Sequence, residues 1–321
     1  MNSERPILSQ ESTNTEIQNF INYIKGDEQI NSAIVIPAAM TINIADKIKA
    51  LTPIRAIAKV SYTSQDKLDV VIDHNNSTAS GWVTDSLIKS EETATLSKVS
   101  IYLHQLYSKP KVAFSLLEDE SSKVEEVLQD KITAQMATAE NYAFLYGDGI
   151  SQPKGILKYD IVTNSYDSSS KTIEGIIGGK PGKLENYLKL IELMEQLPAR
   201  YLYGASWLMS RNVASVLRLM KDQSSGKFIW QSSIMPGVPD TLLGYPVVIC
   251  DDMPRLNTSS KKYCPILFGN FYEGYQIAEK PEIKLLKDPF NSKPFVEFYA
   301  TKRVGGDMVN FEAIKALVLT E

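Results

Sequence analysis

One long amphipathic helix, predicted over residues 122–146, constrains the fold more than any other feature of the sequence. Ser122 and Glu125 form the Ser-x-x-Glu pattern of an N-terminal capping box. One face carries apolar residues at helical spacing, namely Val124, Leu128, Ile132, Met136, Ala139 and Ala143. Gly147 is predicted to end the helix as a C-terminal glycine. Such a helix is about 35 Å long, which suits a structural strut.

Upstream of this helix, the sequence predicts β-structure around a long hairpin. Residues 57–62 and 68–72 are strand-like, and residues 98–106 alternate between apolar and polar. The polar stretch 73–95 separates these strands without the two-residue signal of a tight turn. Because a long hairpin has too little core to be stable alone, we expect it to be supported from outside the subunit.

Downstream of the helix, short strands and helices follow one another irregularly. Helices are predicted at residues 184–197 and 211–220. Strands are predicted at 207–209, 245–251, 266–271, 275–277, 282–286, 295–301 and 313–319. No regular βαβ repeat joins them, which favours an α+β fold.

Composition indicates a globular protein without a metal site. The 321-residue chain is 43% hydrophobic, and its formal net charge of -4 gives no basic balance toward nucleic acid or an anionic membrane. His74 and His104 are far apart, and Cys250 and Cys264 form no Cys-x-x-Cys pair. Neither a zinc site nor a disulfide framework is therefore expected. The apolar runs are too short to cross a bilayer.

Catalytic motifs are missing as well. The glycine-rich stretch 175–182 lacks phosphate-loop spacing, and no Gly-x-Ser-x-Gly elbow occurs. Asp148 lies between two glycines but lacks the further oxygen ligands of a calcium loop. We therefore expect no catalytic residue, no cofactor and no metal, and the chain is predicted not to be an enzyme.

The N-terminal residues 1–32 are polar and rich in Ser, Asn, Gln and Glu. Such a segment cannot bury enough apolar surface to fold alone. It is interpreted as an arm that orders against neighbouring subunits, with a disordered tail as the alternative. It also lacks the basic and apolar regions of a signal peptide.

The segment after the long helix carries a family resemblance. Its Gly147-Asp148-Gly149, Pro153 and Gly155 resemble the signature found at this place in major capsid proteins of tailed bacteriophages, whose fold is named after bacteriophage Hong Kong 97. Further matches lie before and after it, in the order that the family has along the chain. They are residues 81–83, 116–119, Trp207, 226–230, Gly244, Pro246 and Gly269. The resemblance covers roughly residues 33–321.

The resemblance implies an α+β, Hong Kong 97-type capsid fold with an N-arm, an extended E-loop hairpin, a peripheral domain with a long spine helix, and an axial domain. The implied bounds are 1–32 for the N-arm, 56–100 for the E-loop, 33–55, 101–150 and 270–300 for the peripheral domain, and 151–269 and 301–321 for the axial domain.

The implied function is that of a major capsid protein. Its copies would assemble into hexamers and pentamers of an icosahedral shell around the double-stranded DNA of a tailed phage, prophage or gene transfer agent. The expected partners are further copies, a scaffolding protein, a portal, decoration proteins and non-specifically contacted DNA, with no membrane. The expected location is the virion capsid, assembled in the host bacterial cytoplasm.

Some members of the family link neighbouring subunits covalently through a lysine of the E-loop and an asparagine of the peripheral domain. Lys89 lies where such a lysine would be. The acceptor position, however, falls near Pro294 and the assisting acid near Thr301, while Asn291 is offset. No isopeptide cross-link is therefore expected.

Two alternative functions and one question about maturation stay open at this point. An encapsulin-like nanocompartment shell shares the fold but carries enzymes, and the polar arm and the Gly-Asp-Gly signature favour the phage type over it. A soluble enzyme is an alternative from another class, which the missing catalytic motifs disfavour. The chain also starts almost directly with the arm, so either it is already mature or scaffolding is a separate protein.

Overall fold

A computed structural model describes the chain at residues 34–35, 38–73, 96–113, 115, 121–164, 171–184, 186–221, 226, 228–230, 240–256, 260–288 and 290–321. Several sequence predictions lie outside these residues or outside their described side chains. They are the N-arm at 1–32, the tip of the hairpin with Lys89, the motif at 116–119, and the capping box of Ser122 and Glu125.

The described residues form helices, strands and one 3-10 turn at Ile156–Lys158. The helices are α1 (Ala38–Leu51), α2 (Pro53–Ile57), α3 (Ser121–Tyr146), α4 (Leu188–Glu195), α5 (Ala199–Leu202), α6 (Arg211–Leu219) and α7 (Phe271–Gly274). The strands are β1 (Ile34–Val35), β2 (Lys59–Tyr62), β3 (Lys67–Asp73), β4 (Leu96–Tyr102), β5 (His104–Ser108), β6 (Lys111–Ala113), β7 (Ile161–Val162), β8 (Ile173–Lys180), β9 (Lys183–Leu184), β10 (Ser206–Met209), β11 (Thr241–Leu242), β12 (Tyr245–Ile249), β13 (Lys262–Gly269), β14 (Tyr275–Glu279), β15 (Lys284–Asp288), β16 (Phe295–Met308) and β17 (Ile314–Thr320).

Two mixed sheets and a separate hairpin organise these strands. Sheet I has the order β1-β15-β16-β14-β2, with β5 and β6 also on β16, and β2 lies parallel to β14. Sheet II has the order β11-β12-β10-β13-β17-β8-β7, with β9 on β8. Strands β3 and β4 pair only with each other among the described residues. Mixed sheets without a βαβ repeat confirm the predicted α+β class.

Each sheet has its own apolar core, and a third cluster joins them. Helices α1 and α3 cover sheet I, where Ile48 of α1 and Met136 of α3 share one apolar cluster with Phe298 of β16. Helices α4 and α6 cover sheet II around the fully buried Trp207. The joining cluster includes Phe144 at the end of α3, so the long helix packs into both halves of the molecule.

The long helix is confirmed, but two details of its prediction are wrong. The stripe holds at Leu128, Ile132, Met136 and Ala143, which are buried, whereas Ala139 is exposed. The helix ends before Gly147 as predicted. The glycine, however, has no positive φ, and its amide still donates to the carbonyl oxygen of Ala143 at 2.8 Å. It is therefore not a left-handed cap.

The hairpin is narrower than the predicted range. Residues 59–62 form β2 in sheet I, and the hairpin ladder runs from the Lys67–Tyr102 pair to the Asp73–Leu96 pair. The single strand predicted over 98–106 is wrong, because the chain passes from the hairpin into sheet I at Leu103, between β4 and β5.

Other predicted elements also change their bounds, and two of these changes affect how the sheets are built. The helix predicted at 184–197 covers only Leu188–Glu195, because Leu184 pairs with Gly179 as part of β9. The strand predicted at 295–301 continues to Met308, so residues 301–308 pair in sheet I.

Candidate functional site

The signature loop, residues 147–155, is a tightly bonded turn that follows α3. The Asp148 carboxylate accepts hydrogen bonds from the backbone amides of Ile150, Ser151 and Gln152 at 2.9, 3.0 and 3.2 Å, and from the Ser151 hydroxyl at 2.8 Å. The Ile150 amide, then the Ser151 hydroxyl, lower the pKa of Asp148 below its usual range. The aspartate is therefore bonded to its own loop and acts as a structural residue.

The glycines of the signature are required by close backbone approach. A Cβ added to Gly147 would lie 1.8 Å from the carbonyl oxygen of Pro153. One added to Gly155 would lie 2.4 Å from the carbonyl oxygen of Leu145. Gly149 has a φ of 75°, a left-handed conformation that glycine adopts without strain. The chain thus folds back directly on the last turn of α3.

This turn is also hydrogen-bonded to sheet I. The amide of Lys154 donates to the carbonyl oxygen of Gly306 at 2.9 Å, and the Tyr275 hydroxyl donates to the carbonyl oxygen of Lys154 at 2.9 Å. The Lys154 ammonium lies 3.9 Å from the centroid of the Tyr159 ring. The signature therefore fixes the end of α3 against β14 and β16.

The signature residues in sheet II are also structural. Trp207 is fully buried, donates from Nε1 to the carbonyl oxygen of Leu242 at 2.9 Å, and packs on Phe268 with ring centroids 4.2 Å apart. Leu243 and Gly244 have φ values of 51° and 86° and join β11 to β12. Positive φ at both central residues is typical of a type I′ hairpin turn.

Pro246 and Gly269 are explained by their places in sheet II. Pro246 faces Thr241 on β11 near the start of β12, one residue before the register of β12 with β10 begins at Val247. A Cβ added to Gly269 would lie 2.1 Å from the carbonyl oxygen of Ala313. Gly269 thus allows β13 and β17 to approach where the ladder ends.

A buried cluster of four charges lies under α3, and the sequence prediction missed it. Arg55 of α2 donates to Oε2 of Glu140 from Nε at 2.9 Å and from NH2 at 2.7 Å, and its NH1 lies 2.8 Å from Oε2 of Glu279. The Lys302 ammonium lies 3.1 Å from Glu140 Oε1 and 2.6 Å from Glu279 Oε2. The four side chains are 4%, 0%, 3% and 4% exposed for Arg55, Glu140, Glu279 and Lys302. We call them the charge quartet.

The quartet pairs two acidic with two basic side chains, and its charges shift the pKa values of Glu279 and Arg55. Burial alone would raise the pKa of Glu279, but the charges of Lys302 and Arg55 overcome it and lower that pKa. Burial opposes the charge on Arg55 as well, yet Glu140 and Glu279 raise its pKa above the ordinary value. Together the four side chains tie α2, α3, β14 and β16.

The two cysteines are inert core residues. Both thiols are free and buried, and burial raises the pKa of Cys264 to about 12 and that of Cys250 above its ordinary value. Within the described part of the chain, no three His, Cys, Asp or Glu side chains group as metal ligands would. In the same residues, no helix is long and apolar enough to span a membrane.

Several large apolar side chains stay exposed around sheet I and the hairpin. They include Tyr62 at 60%, Val71 at 63%, Tyr102 at 60%, Tyr107 at 60% and Phe290 at 77%. The described residues thus combine a long helix packed into the joining cluster with a hairpin whose strands pair only with each other.

Comparison with known proteins identifies the class. The chain belongs to the phage capsid family, whose model matches residues 32–319. It is accordingly a major capsid protein, a structural and non-enzymatic subunit of a shell, with the virion capsid as its location. No curated protein matches the chain.

Solved capsid structures share this fold. The capsid of an empty GTA particle, computed with C5 symmetry, is 35% identical, with a TM-score of 0.74 over 84% of this chain and 90% of that chain. The capsid of a native GTA particle is 36% identical, with a TM-score of 0.72 over 84% and 91%. The structure from Gordonia phage Cozz has a TM-score of 0.56 at 10% identity over 84% and 87%, a likeness of fold alone. These structures confirm the predicted Hong Kong 97-type fold.

Proposed function

We propose that the chain builds a closed icosahedral shell of hexamers and pentamers around double-stranded DNA, in a gene transfer agent, a prophage particle or a related tailed phage. The observation that carries this proposal is the 35% identity to the capsid of a GTA particle over most of both chains. That particle was computed with C5 symmetry, which pentamers at the vertices of a shell would supply.

The proposed domains follow the sheets. Sheet I with α1 and α3 would be the peripheral domain, sheet II with α4–α6 the axial domain, and β3–β4 the E-loop. The bounds predicted from sequence then change at residues 59–62 and 301–308, which pair in sheet I. Residues 1–32 would be the N-arm that reaches neighbouring subunits.

The proposed partners are other copies of the chain, a scaffolding protein, a portal and decoration proteins, with assembly in the host cytoplasm. The formal net charge of -4 supports weak, non-specific contact with packaged DNA, because affinity for phosphates grows with each Lys or Arg contact.

Nuclease protection tests the cargo. Particles purified from the producing cells should protect double-stranded DNA from added nuclease. Fragments drawn from the whole host chromosome would indicate a gene transfer agent, and one discrete viral genome would indicate a phage. Particles that protect no DNA and carry an enzyme would contradict the proposal in favour of an encapsulin-like compartment.

The shell is also expected to lack covalent cross-links through Lys89. The side-chain amide of Asn291 donates to the Asp288 carboxylate at 2.5 Å within its own turn. Thr301 supplies no carboxylate at the position of the assisting acid. Denaturing electrophoresis of intact particles should give one monomer band, and a ladder of covalent oligomers would contradict this expectation.

A further inference from the structure

The base of the hairpin is tied to sheet I by one carboxylate. Asp66 immediately precedes β3, and its Oδ1 lies 2.8 Å from the Lys280 ammonium and 2.5 Å from NH1 of Arg303. Lys280 follows β14, and Arg303 lies in β16. One side chain at the foot of the hairpin therefore contacts two elements of the subunit body.

Backbone contacts place both legs of the hairpin at this point. The amide of Leu103, which follows β4, donates to the carbonyl oxygen of Asp66 at 2.9 Å. Tyr102 crosses close to Gly305, where an added Cβ would lie 2.2 Å from the Tyr102 carbonyl oxygen. The two legs thus lie close together at the base of the hairpin, next to β16.

The apolar support under the hairpin is small. The cluster there has Ile101, Leu103 and Ala278 as its buried members, with partly buried neighbours such as Leu68 and Val309. A two-stranded hairpin with so little core gains little orientation from packing alone. The ion pairs at the base therefore add to the little orientation that packing provides.

A second carboxylate on the hairpin provides a contrast. Asp69 lies 2.8 Å from the ammonium of Lys98 and 3.4 Å from that of Lys67, and it accepts a hydrogen bond from Ser100 at 2.7 Å. All these partners belong to β3 or β4. Asp69 thus joins the two strands to each other, whereas Asp66 joins the hairpin to the body.

We propose that Asp66, Lys280 and Arg303 form an electrostatic latch that sets the angle of the hairpin relative to sheet I and releases it when the charges are screened. The side chains of Asp66, Lys280 and Arg303 are 71%, 27% and 45% exposed, so salt reaches them. The Debye length falls from about 10 Å at 0.1 M salt to about 3 Å at 1 M. The role in shell contacts rests on the proposed function, but the latch itself is a property of one subunit.

Spin labels measure the hairpin angle directly. Both native thiols are buried, so labels can be placed at Val71→Cys on β3 and Ala134→Cys on α3, two exposed positions. Full-length double-labelled subunits are measured free, and again diluted into unlabelled chains before assembly. The backgrounds are wild type, Asp66→Asn, Asp66→Glu and Asp69→Asn.

In the free subunit, we expect a narrow distance distribution for wild type at 0.1 M NaCl and at least a twofold broader one for Asp66→Asn. Raising NaCl to 1 M should broaden wild type toward Asp66→Asn and leave that variant unchanged. Asp66→Glu should restore much of the narrow distribution, and Asp69→Asn should keep it.

An unchanged distribution in Asp66→Asn, or equal broadening in Asp69→Asn, would overturn the latch. Far-ultraviolet circular dichroism checks that each variant is folded, since exposed ion pairs add little to global stability. Because the free subunit carries this test, a failure of the latch and a failure of shell assembly are distinguishable.

Discussion

The two sheets bury different kinds of side chains. The core of sheet II gathers apolar side chains around Trp207, Phe268 and Leu193. Sheet I buries the charge quartet beside its apolar cluster. Sheet II has a buried charge too, Lys315, but its partner Glu174 is 25% exposed.

The difference shows what each kind of core contributes. Apolar burial is non-directional and tolerates small changes of geometry. A buried ion pair gives little net stability but becomes very costly when one partner is lost. We therefore expect the quartet to specify where α3 lies on sheet I, and the buried apolar area to set the stability of sheet II.

Removing one carboxylate of the quartet should have the largest effect. Glu140→Ala leaves Arg55 and Lys302 with one acid between them, and we expect a loss of about 3–5 kcal/mol in the free energy of unfolding. Urea unfolding of the unassembled subunit measures it.

The control is an exposed ion pair on the same long helix, Asp130 of α3 with Lys47 of α1 at 2.6 Å. Lys47→Ala should cost less than about 1 kcal/mol. Similar losses in Glu140→Ala and Lys47→Ala would show that the quartet has no special role in sheet I.

A change in the signature loop, which joins the end of α3 to sheet I, should have the next largest effect on stability. In Gly147→Ala, the new methyl group would meet the Pro153 carbonyl, which is backbone and cannot rotate away. Overpacking of this kind costs about 1–3 kcal/mol, and the loss is expected in the urea midpoint. An unchanged midpoint would mean that the signature loop can move aside freely.

A change in the apolar core should have an effect of similar size that is independent of pH. Trp207→Phe removes the hydrogen bond to the Leu242 carbonyl and leaves a small cavity. We expect a loss of about 2 kcal/mol in the free energy of unfolding. The loss should be the same at pH 5 and pH 7, and a strong pH dependence would refute the apolar description of sheet II.

Acid should weaken sheet I through Glu279. Its pKa is lowered in the folded protein, so its contribution is complete above the unfolded value, about 4.3, and is lost as pH falls through the folded value. The free energy of unfolding should therefore decrease as the pH is lowered below about 4.3. Glu279→Gln should be less stable at pH 7 and flatter with pH, and equal slopes for both proteins would contradict this assignment.

The sequence predicted elements that have a strong local signal. The long helix followed from its apolar spacing and its glycine stop, and the confirmed strands, such as β10 and β17, are short apolar runs. The signature glycines could be found by resemblance. The reason for Gly147 could not, because it depends on the Pro153 carbonyl meeting the helix end in space.

The charge quartet could not be predicted as a site, because its partners come together only in the fold. Glu140 is 85 residues from Arg55 and 162 from Lys302 along the chain. A local signal was nevertheless present. Glu140 occupies the position between Met136 and Phe144 in a buried row with four-residue spacing, so a charged residue stands on the apolar stripe. The stripe predicted through Ala139 missed it.

Cryo-electron microscopy of the expressed chain tests the central claim most directly. With or without a scaffolding protein, the account predicts closed shells with pentamers and hexamers, in which β3–β4 of one subunit contacts its neighbour. A chain that forms no shells, tubes or capsomers under any condition would contradict the assignment of this protein as a shell subunit.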